Sequence, residues 1–321
     1  MTYNRKLDFY TLEGKSYVQK NQQIISANNA NYNAEKEQIV FWDDVRLNDN
    51  SYFLKADSIF YDQVTEFATA VSSAHLFDTL SNNHLYGDKM EYYKKENKAF
   101  ATDSPYGIHY MESDSLILSA DTLSTYVDKQ DTTRRVITGY NDVKYYLTDV
   151  QGIADSLSYV EQDSVLSIYG TPYVWSDSMQ VSGDKLFIYL STQDDIDSIR
   201  IVNNAFVINT ADFIFFNQIK GKEMIADFLL GALQEVNVIG NGESLYFIQD
   251  EDDAYVGKNK SICGRMRIVL KDSQLEEMVF YNKPSAQLLP LGNSPMSIDN
   301  FLKGYNWDMS KRPKSFDSLK E

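Results

Sequence analysis

Apolar and polar residues alternate in short runs along most of the chain, as in Val143, Tyr145 and Leu147, Ile199 and Ile201, and Val236 and Val238. Alternation with period 2 predicts half-buried β-strands. Helical periodicity is convincing in one place. Ser294-Pro295-Met296 opens it, Phe301-Leu302-Lys303 continues it, and Gly304 follows. A capping Ser, a Pro in the first turn and a terminal Gly predict a short helix over 295–303. No run of about 18 apolar residues occurs, so no transmembrane helix is predicted.

A six-residue unit recurs along the chain. It reads Ala56-Asp57-Ser58-Ile59-Phe60-Tyr61, then Gly87-Asp88-Lys89-Met90-Glu91-Tyr92, Ala120-Asp121-Thr122-Leu123, Ala154-Asp155-Ser156-Leu157-Ser158-Tyr159 and Gly183-Asp184-Lys185-Leu186-Phe187-Ile188. Degraded copies start at Ala27, Gly221 and Cys263. The unit is a small residue, a polar one (usually Asp), any residue, an apolar one, any residue, then an aromatic or aliphatic one. The steps between copies are 29, 31, 33, 34, 29, 38 and 42. A variable step argues against a rigid β-helix of fixed rung length and suits strands joined by loops of unequal size. Between copies lie second apolar runs that end at Gly or Asn, such as Val136-Ile137-Thr138-Gly139 and Ile201-Val202-Asn203-Asn204. These predict two or three short strands per unit with turns between them.

Side chains alternate along a strand, so the fourth and sixth positions share one face. Both are apolar, and that face is predicted to be buried. Ile59, Tyr61, Met90, Tyr92, Leu123, Leu157, Tyr159, Leu186 and Ile188 are the candidate interior residues. The Asp at position two is placed on the same face at the strand entry, bonding turn amides. The small first residue admits close approach of a neighbouring backbone. No unit buries its own apolar face, so the units must stack. About eight stacked units predict one all-β body. Reading the Asp series as a Ca²⁺-binding row is weaker, because calcium-binding nonapeptide repeats are Gly-rich and short in period.

Composition reinforces strands: 23 Tyr and 17 Phe stand against 6 Pro and 15 Gly. The net charge of -16 opposes nucleic-acid binding, which calls for a basic surface. A single cysteine, Cys263, excludes an intramolecular disulfide framework and a cysteine-based zinc site. His75, His84 and His109 have no carboxylates at metal-site spacing, and no cofactor is expected. The nucleophile-elbow, zincin, P-loop and dinucleotide fingerprints are absent. Asp250-Glu251-Asp252-Asp253 reads as a solvated loop tip, and Gly240-Asn241-Gly242 as a hairpin turn.

The repeat in this form resembles the OstA/LptA family of periplasmic lipopolysaccharide-transport proteins. Phe216-Asn217-Gln218-Ile219-Lys220-Gly221-Lys222, Gly240 to Phe247, and Tyr305-Asn306-Trp307-Asp308 with Arg312-Pro313-Lys314 resemble the OstA-like proteins of the Bacteroidota. The resemblance runs from about residue 10 to 315. It implies an elongated, twisted antiparallel β-jellyroll (a β-taco) whose two sheets enclose an apolar channel. Lipid A acyl chains would lie in that channel, lined by the nine interior residues above. It further implies a periplasmic location, no catalysis, and end-to-end joining through exposed sheet edges to other transport components or to further copies. The periplasmic reading expects a targeting segment that these 321 residues do not include.

The repeat-built body is expected over 1–293, as one long jellyroll or as two segments fused near 150–200. The helix and a mobile polar tail occupy 294–321, with Phe301, Leu302, Tyr305 and Trp307 plugging the open end or docking a partner. The competing readings are a carbohydrate-active or glycan-binding β-solenoid and a structural envelope protein. Lipid co-purification separates the transport reading from both.

Overall fold

The computed structural model describes all residues except 6–7, 21–22, 50–51, 79–82, 111–113, 129–130, 132–133, 161, 192–195, 231, 272–273, 292–293 and 320–321. The chain forms two compact units: 1–148 with 160–162 and 314–321, and 149–159 with 163–313. Both are antiparallel β throughout.

The first unit contains β1 (Thr2–Asn4), β2 (Phe9–Lys20), β3 (Gln23–Asn33), β4 (Gln38–Asp49), β5 (Tyr52–Asp62) and β6 (Phe67–Asp78). It continues with β7 (Asn83–Tyr93), β8 (Lys98–Thr102), β9 (Tyr106–Tyr110), β10 (Ser115–Ser119), β11 (Thr122–Val127) and β12 (Arg135–Tyr146). From β1 to β7 each strand pairs with the next, and β7 then pairs with both β8 and β9.

The second unit contains β13 (Gln151–Val160), β14 (Val165–Tyr169), β15 (Tyr173–Ser176), β16 (Met179–Ser182), β17 (Lys185–Leu190) and β18 (Ile196–Asn209). Next come β19 (Asn217–Leu229), β20 (Ala232–Gln249), β21 (Tyr255–Lys271), β22 (Gln274–Tyr281) and β23 (Ser285–Leu289).

Every long strand is broken at one level by a corner. The ladder slips between Ser26 and Asn29, Trp42 and Val45, Lys55 and Ser58, and Val71 and Ala74. It slips again between Val202 and Ala205, Lys220 and Glu223, and Ile239 and Gly242. On alternate strands the corner is two successive left-handed residues: Asp43-Asp44, Ser72-Ser73, Asn141-Asp142, Asn203-Asn204 and Gly240-Asn241. Asp103-Ser104, Gly170-Thr171 and Asn282-Lys283 do the same between shorter strands. Asn, Asp and Gly tolerate this backbone best, and an extra residue in one strand bends it. The runs that end at Gly or Asn are therefore mid-strand corners and not turns. In particular, Gly240-Asn241-Gly242 lies inside β20, where the sequence predicts a hairpin.

The repeat sits on the intervening strands, against these corners. Its polar residue donates its backbone N–H across the bend, from Asp88 to Asp103 O (3.1 Å), Asp121 to Asn141 O (3.0 Å) and Asp184 to Asn203 O (3.0 Å). Two of the carboxylates take corner groups: Asp88 Oδ1 accepts from Ser73 N at 3.4 Å and Asp184 Oδ1 from Asn204 Nδ2 at 2.9 Å. The Asp does not share the buried face of positions four and six. The strand turns the corner just after it, which resets the alternation. Positions one and four are buried in all eight copies, from Ala27 and Ala30 to Cys263 and Met266. Asp57, Asp88, Asp121 and Asp155 instead face solvent.

The corners divide each unit into two half-sheets, here called P and Q. In the first unit P holds segments such as 29–33, 38–42, 58–62 and 89–93, and Q holds 45–49, 52–56, 74–78 and 83–87. Both pack onto one core: Ala30, Phe41, Ile59 and Met90 from P meet Ile25, Leu47, Leu54, Leu76 and Leu85 from Q. This is the antiparallel jellyroll arrangement that the family resemblance implies.

The predicted helix over 295–303 does not form. One 3₁₀ turn, Ile298–Asn300, replaces it, with two more at Met309–Lys311 and Asp317–Leu319. Residues 294–308 form a strap on the outer face of Q in the second unit, where Leu302, Phe301, Tyr305 and Trp307 pack on Phe206, Ile208, Phe216, Leu245 and Phe247. Buried strand amides hold the strap. Gln218 accepts from Leu302 N (2.8 Å) and donates to Asn300 O (2.9 Å), and Gln180 accepts from Asp308 N (3.0 Å) and donates to Asn306 O (2.6 Å). These bonds fix the strap in place of internal helical ones. The tail expected to be mobile is tied down, with Arg312 donating to Gln151 Oε1 and Asp177 O, both at 2.7 Å.

Candidate functional site

The inner faces of P and Q are lined by rows of side chains in cross-strand register. In the first unit the P row nearest the corners runs Leu12, Ala30, Phe41, Ile59, Ala70, Met90, Ala101, Leu123 and Gly139. Large and small residues alternate along much of it. The next row outward is Tyr10, Tyr32, Ile39, Tyr61, Ala68, Tyr92, Ala99, Thr125 and Ile137. Across from them, Q presents Val18, Ile25, Leu47, Leu54, Leu76 and Leu85 in one row.

The second unit repeats the plan. Its P rows are Ile168, Leu186, Ile201, Met224, Val238, Met266 and Phe280, then Leu166, Ile188, Ile199, Ala226, Val236, Ile268 and Met278. Its Q row is Val174, Val181, Val207, Ile219, Ser244, Ser261 and Ala286. None of these rows carries a charge.

The nine candidate residues fall on this frame as follows. Ile59, Met90 and Leu123 share the inner P row of the first unit and are buried, and Leu186 occupies the equivalent row of the second. Leu157 and Ile188 are buried as well. Tyr61 and Tyr159 are half-buried. Tyr92 departs from the interior assignment: it is 43% exposed, although Ile39 and Tyr61 in the same row are buried and half-buried. Burial raises the Tyr61 phenol above its ordinary pKa, and Glu66 and Asp62 add to the effect.

The whole Q face escaped the sequence reading, because Leu47, Leu54, Leu76 and Leu85 lie outside the repeat. So did Ala70 and Ala101, whose small side chains carry no pattern of their own. The alternation of Leu54 with Ala56 and of Leu85 with Gly87 is the signal that marks the Q strands.

Two polar features interrupt the apolar lining of the first unit. Tyr145 is 2% exposed, its hydroxyl has no hydrogen-bond partner, and burial pushes its pKa upward. At the open side, on the half-strand ends farthest from the corners, Arg135 of P donates to Asp78 Oδ2 (3.0 Å) and to Tyr52 Oη (3.2 Å) of Q. Beside them His109 Nδ1 lies 2.7 Å from Asn83 Oδ1. No cluster of three metal-ligating side chains occurs among the described residues.

The facing inner sides of P and Q are apolar and uncharged, with polar groups at the strand ends farthest from the corners, a surface suited to aliphatic chains. No family model matches the chain, and no curated protein matches it. Among solved structures, the chain is similar in part to the crystal structure of LptH, the LptA homologous periplasmic component of the conserved lipopolysaccharide transport device from Pseudomonas aeruginosa. The TM-score is 0.32 at 13% identity, over 37% of this chain and 82% of that one.

Proposed function

We propose that the chain is a non-enzymatic carrier for lipopolysaccharide in the periplasm, shielding lipid A acyl chains between P and Q on their way to the outer membrane. The observation that carries this reading is the set of registered inner rows, uncharged over six to nine successive strand positions across the two units. Each exposed CH₂ of an acyl chain costs roughly 0.8 kcal/mol in water, and rows of near-equivalent apolar sites lower that cost without fixing the chain in one place. The sequence resemblance to the OstA/LptA family points the same way.

The body is strongly acidic, so the phosphorylated headgroup stays outside the cleft between P and Q or is bridged by cations. Joining to other transport components, or to a second copy, uses strand edges. β22 and β23 each pair only with β21 among the described residues, and the strap covers a face of Q and leaves these edges uncovered. A partner strand added there gains backbone hydrogen bonds.

The test is photo-crosslinking in cells from Tyr61, Tyr92 and Leu54, with Asp57 on the outside as control. Lipopolysaccharide adducts from the first three and none from Asp57 are expected. Adducts confined to Asp57, or glycan adducts lacking acyl chains, overturn the reading.

A further inference from the structure

Arg135 of P makes an ion pair with Asp78 of Q. Other ion pairs stay within one half-sheet, at its corner or in the strap: Arg46–Asp44, Lys89–Glu91, Lys144–Asp142, Arg200–Glu223, Lys220–Glu243, Arg267 with Glu235 and Glu277, and Lys311–Asp308. Arg135 starts β12 at the open side of P. Its inward orientation follows from its parity with Ile137 and Gly139, which lie in the inner rows. Asp78 and Tyr52 are directly opposite one another at the open end of Q. The Arg135–Asp78 contact therefore joins P to Q at the strand ends farthest from the corners in the first unit.

The two partners differ in exposure. The Asp78 side chain is 9% accessible and the Arg135 side chain 30%. Two of the guanidinium's five N–H donors go to Asp78 and Tyr52. A planar fork with donors to spare, reachable from solvent, is suited to a second oxyanion. An acyl chain lying along the Ile59–Met90 row carries its headgroup to this rim.

We infer that Arg135 is an anion-recognising latch: the phosphate headgroup of an acyl-bearing amphiphile competes with Asp78 for its guanidinium, and the exchange opens the mouth of the first unit's cleft. The inference rests on the acyl-chain reading above. It adds that the cleft selects for an anionic headgroup despite the acidic body.

The experiment measures displacement of a bound fluorescent fatty-acid analogue from the full chain by 1-lauroyl lysophosphatidic acid, by monolaurin and by inorganic phosphate. The first two share an acyl chain and differ in charge, and the third lacks the chain. The wild type is expected to prefer the phosphate amphiphile about tenfold, the size of a charge-assisted bond, and to ignore inorganic phosphate. Arg135→Gln should bring the ratio to near one by weakening only the phosphate amphiphile. Asp78→Asn, which removes the competitor, should tighten the phosphate amphiphile several-fold and leave monolaurin unchanged. Arg135→Lys keeps the charge without the fork and serves should Arg135→Gln fail to fold; an intermediate ratio is expected. An unaltered ratio in the Arg135 variants, with monolaurin still bound, overturns the latch and leaves the acyl reading standing. Displacement by inorganic phosphate alone overturns the amphiphile as the ligand. No displacement by either lipid in any variant overturns both.

Discussion

Gly183, the small first residue of its repeat, lies against Ile201 so closely that a Cβ there would sit 2.5 Å from Ile201 Cγ2 and 3.2 Å from Asn203 O. The close approach needed at the corner thus has a measurable dimension. Gly183→Ala forces either Ile201 out of the inner P row or the corner backbone aside. Overpacking of this kind costs about 2 kcal/mol. Urea unfolding should show the midpoint lowered with the slope unchanged. An undisturbed midpoint would mean that the corner has slack.

The strap depends on amides that a sequence reading treats as polar surface. Gln218 is fully buried and satisfies Leu302 N and Asn300 O together. Gln218→Leu leaves both strap groups without a partner, at about 3 kcal/mol for the pair. Limited proteolysis should then cleave within 294–308 far faster than in the wild type, while the strands resist. Equal cleavage rates would argue that ring packing of Tyr305 and Trp307 alone retains the strap.

On the outer face of Q in the first unit, His75 Nε2 lies 2.9 Å from His84 Nδ1. The His75 ring stacks on Tyr86 and the His84 ring on Phe77. Burial lowers both imidazole pKa values, and the His84 and Lys55 charges lower that of His75 further. Folded values below the unfolded value of about 6.5 mean that the unfolded chain binds the proton more readily. The stability held by the neutral pair is complete above that pH and declines as pH falls below it. The urea midpoint should drop between pH 7.5 and 5.0, and drop less in His84→Gln. Identical drops in both proteins would assign the acid sensitivity to other groups.

The all-β class and the buried fourth position were legible because the repeat spells its constraints in residue type. Ile59, Met90, Leu157 and Leu186 differ in shape but are all apolar, so letter matching finds them. The corner dipeptides were not legible, since Asp-Asp, Ser-Ser, Asn-Asp, Gly-Thr and Asn-Asn share a backbone conformation but no letter common to all, and short polar pairs read equally well as turns. Their regular placement was available: 27 to 43, 56 to 72, 87 to 103 and 154 to 170 are equal intervals. The helix over 295–303 was mispredicted for a different reason. Ser294 and Pro295 are good helix openers, but the buried Gln218 and Lys258 side chains offer bonds to Leu302 N and Asn300 that outcompete a helix three turns long at most. Parity puts Tyr92 on the inner face with Tyr61 and Ile39 and does not report how far each side chain is covered.

The corner also governs how the chain tolerates change in length. Pairing restarts at each bend, with Val202 opposite Glu223 on one side and Ala205 opposite Gly221 on the other. A residue gained or lost at a hairpin tip shifts only the rim of P or Q, and the rows beside the corner keep their partners. The steps of 29 to 42 between repeats are then differences in overhang. Like lines set against a common margin, the strands can be ragged at the open side while the inner lining stays in alignment, which leaves the rim free to diverge without disturbing the path beneath it.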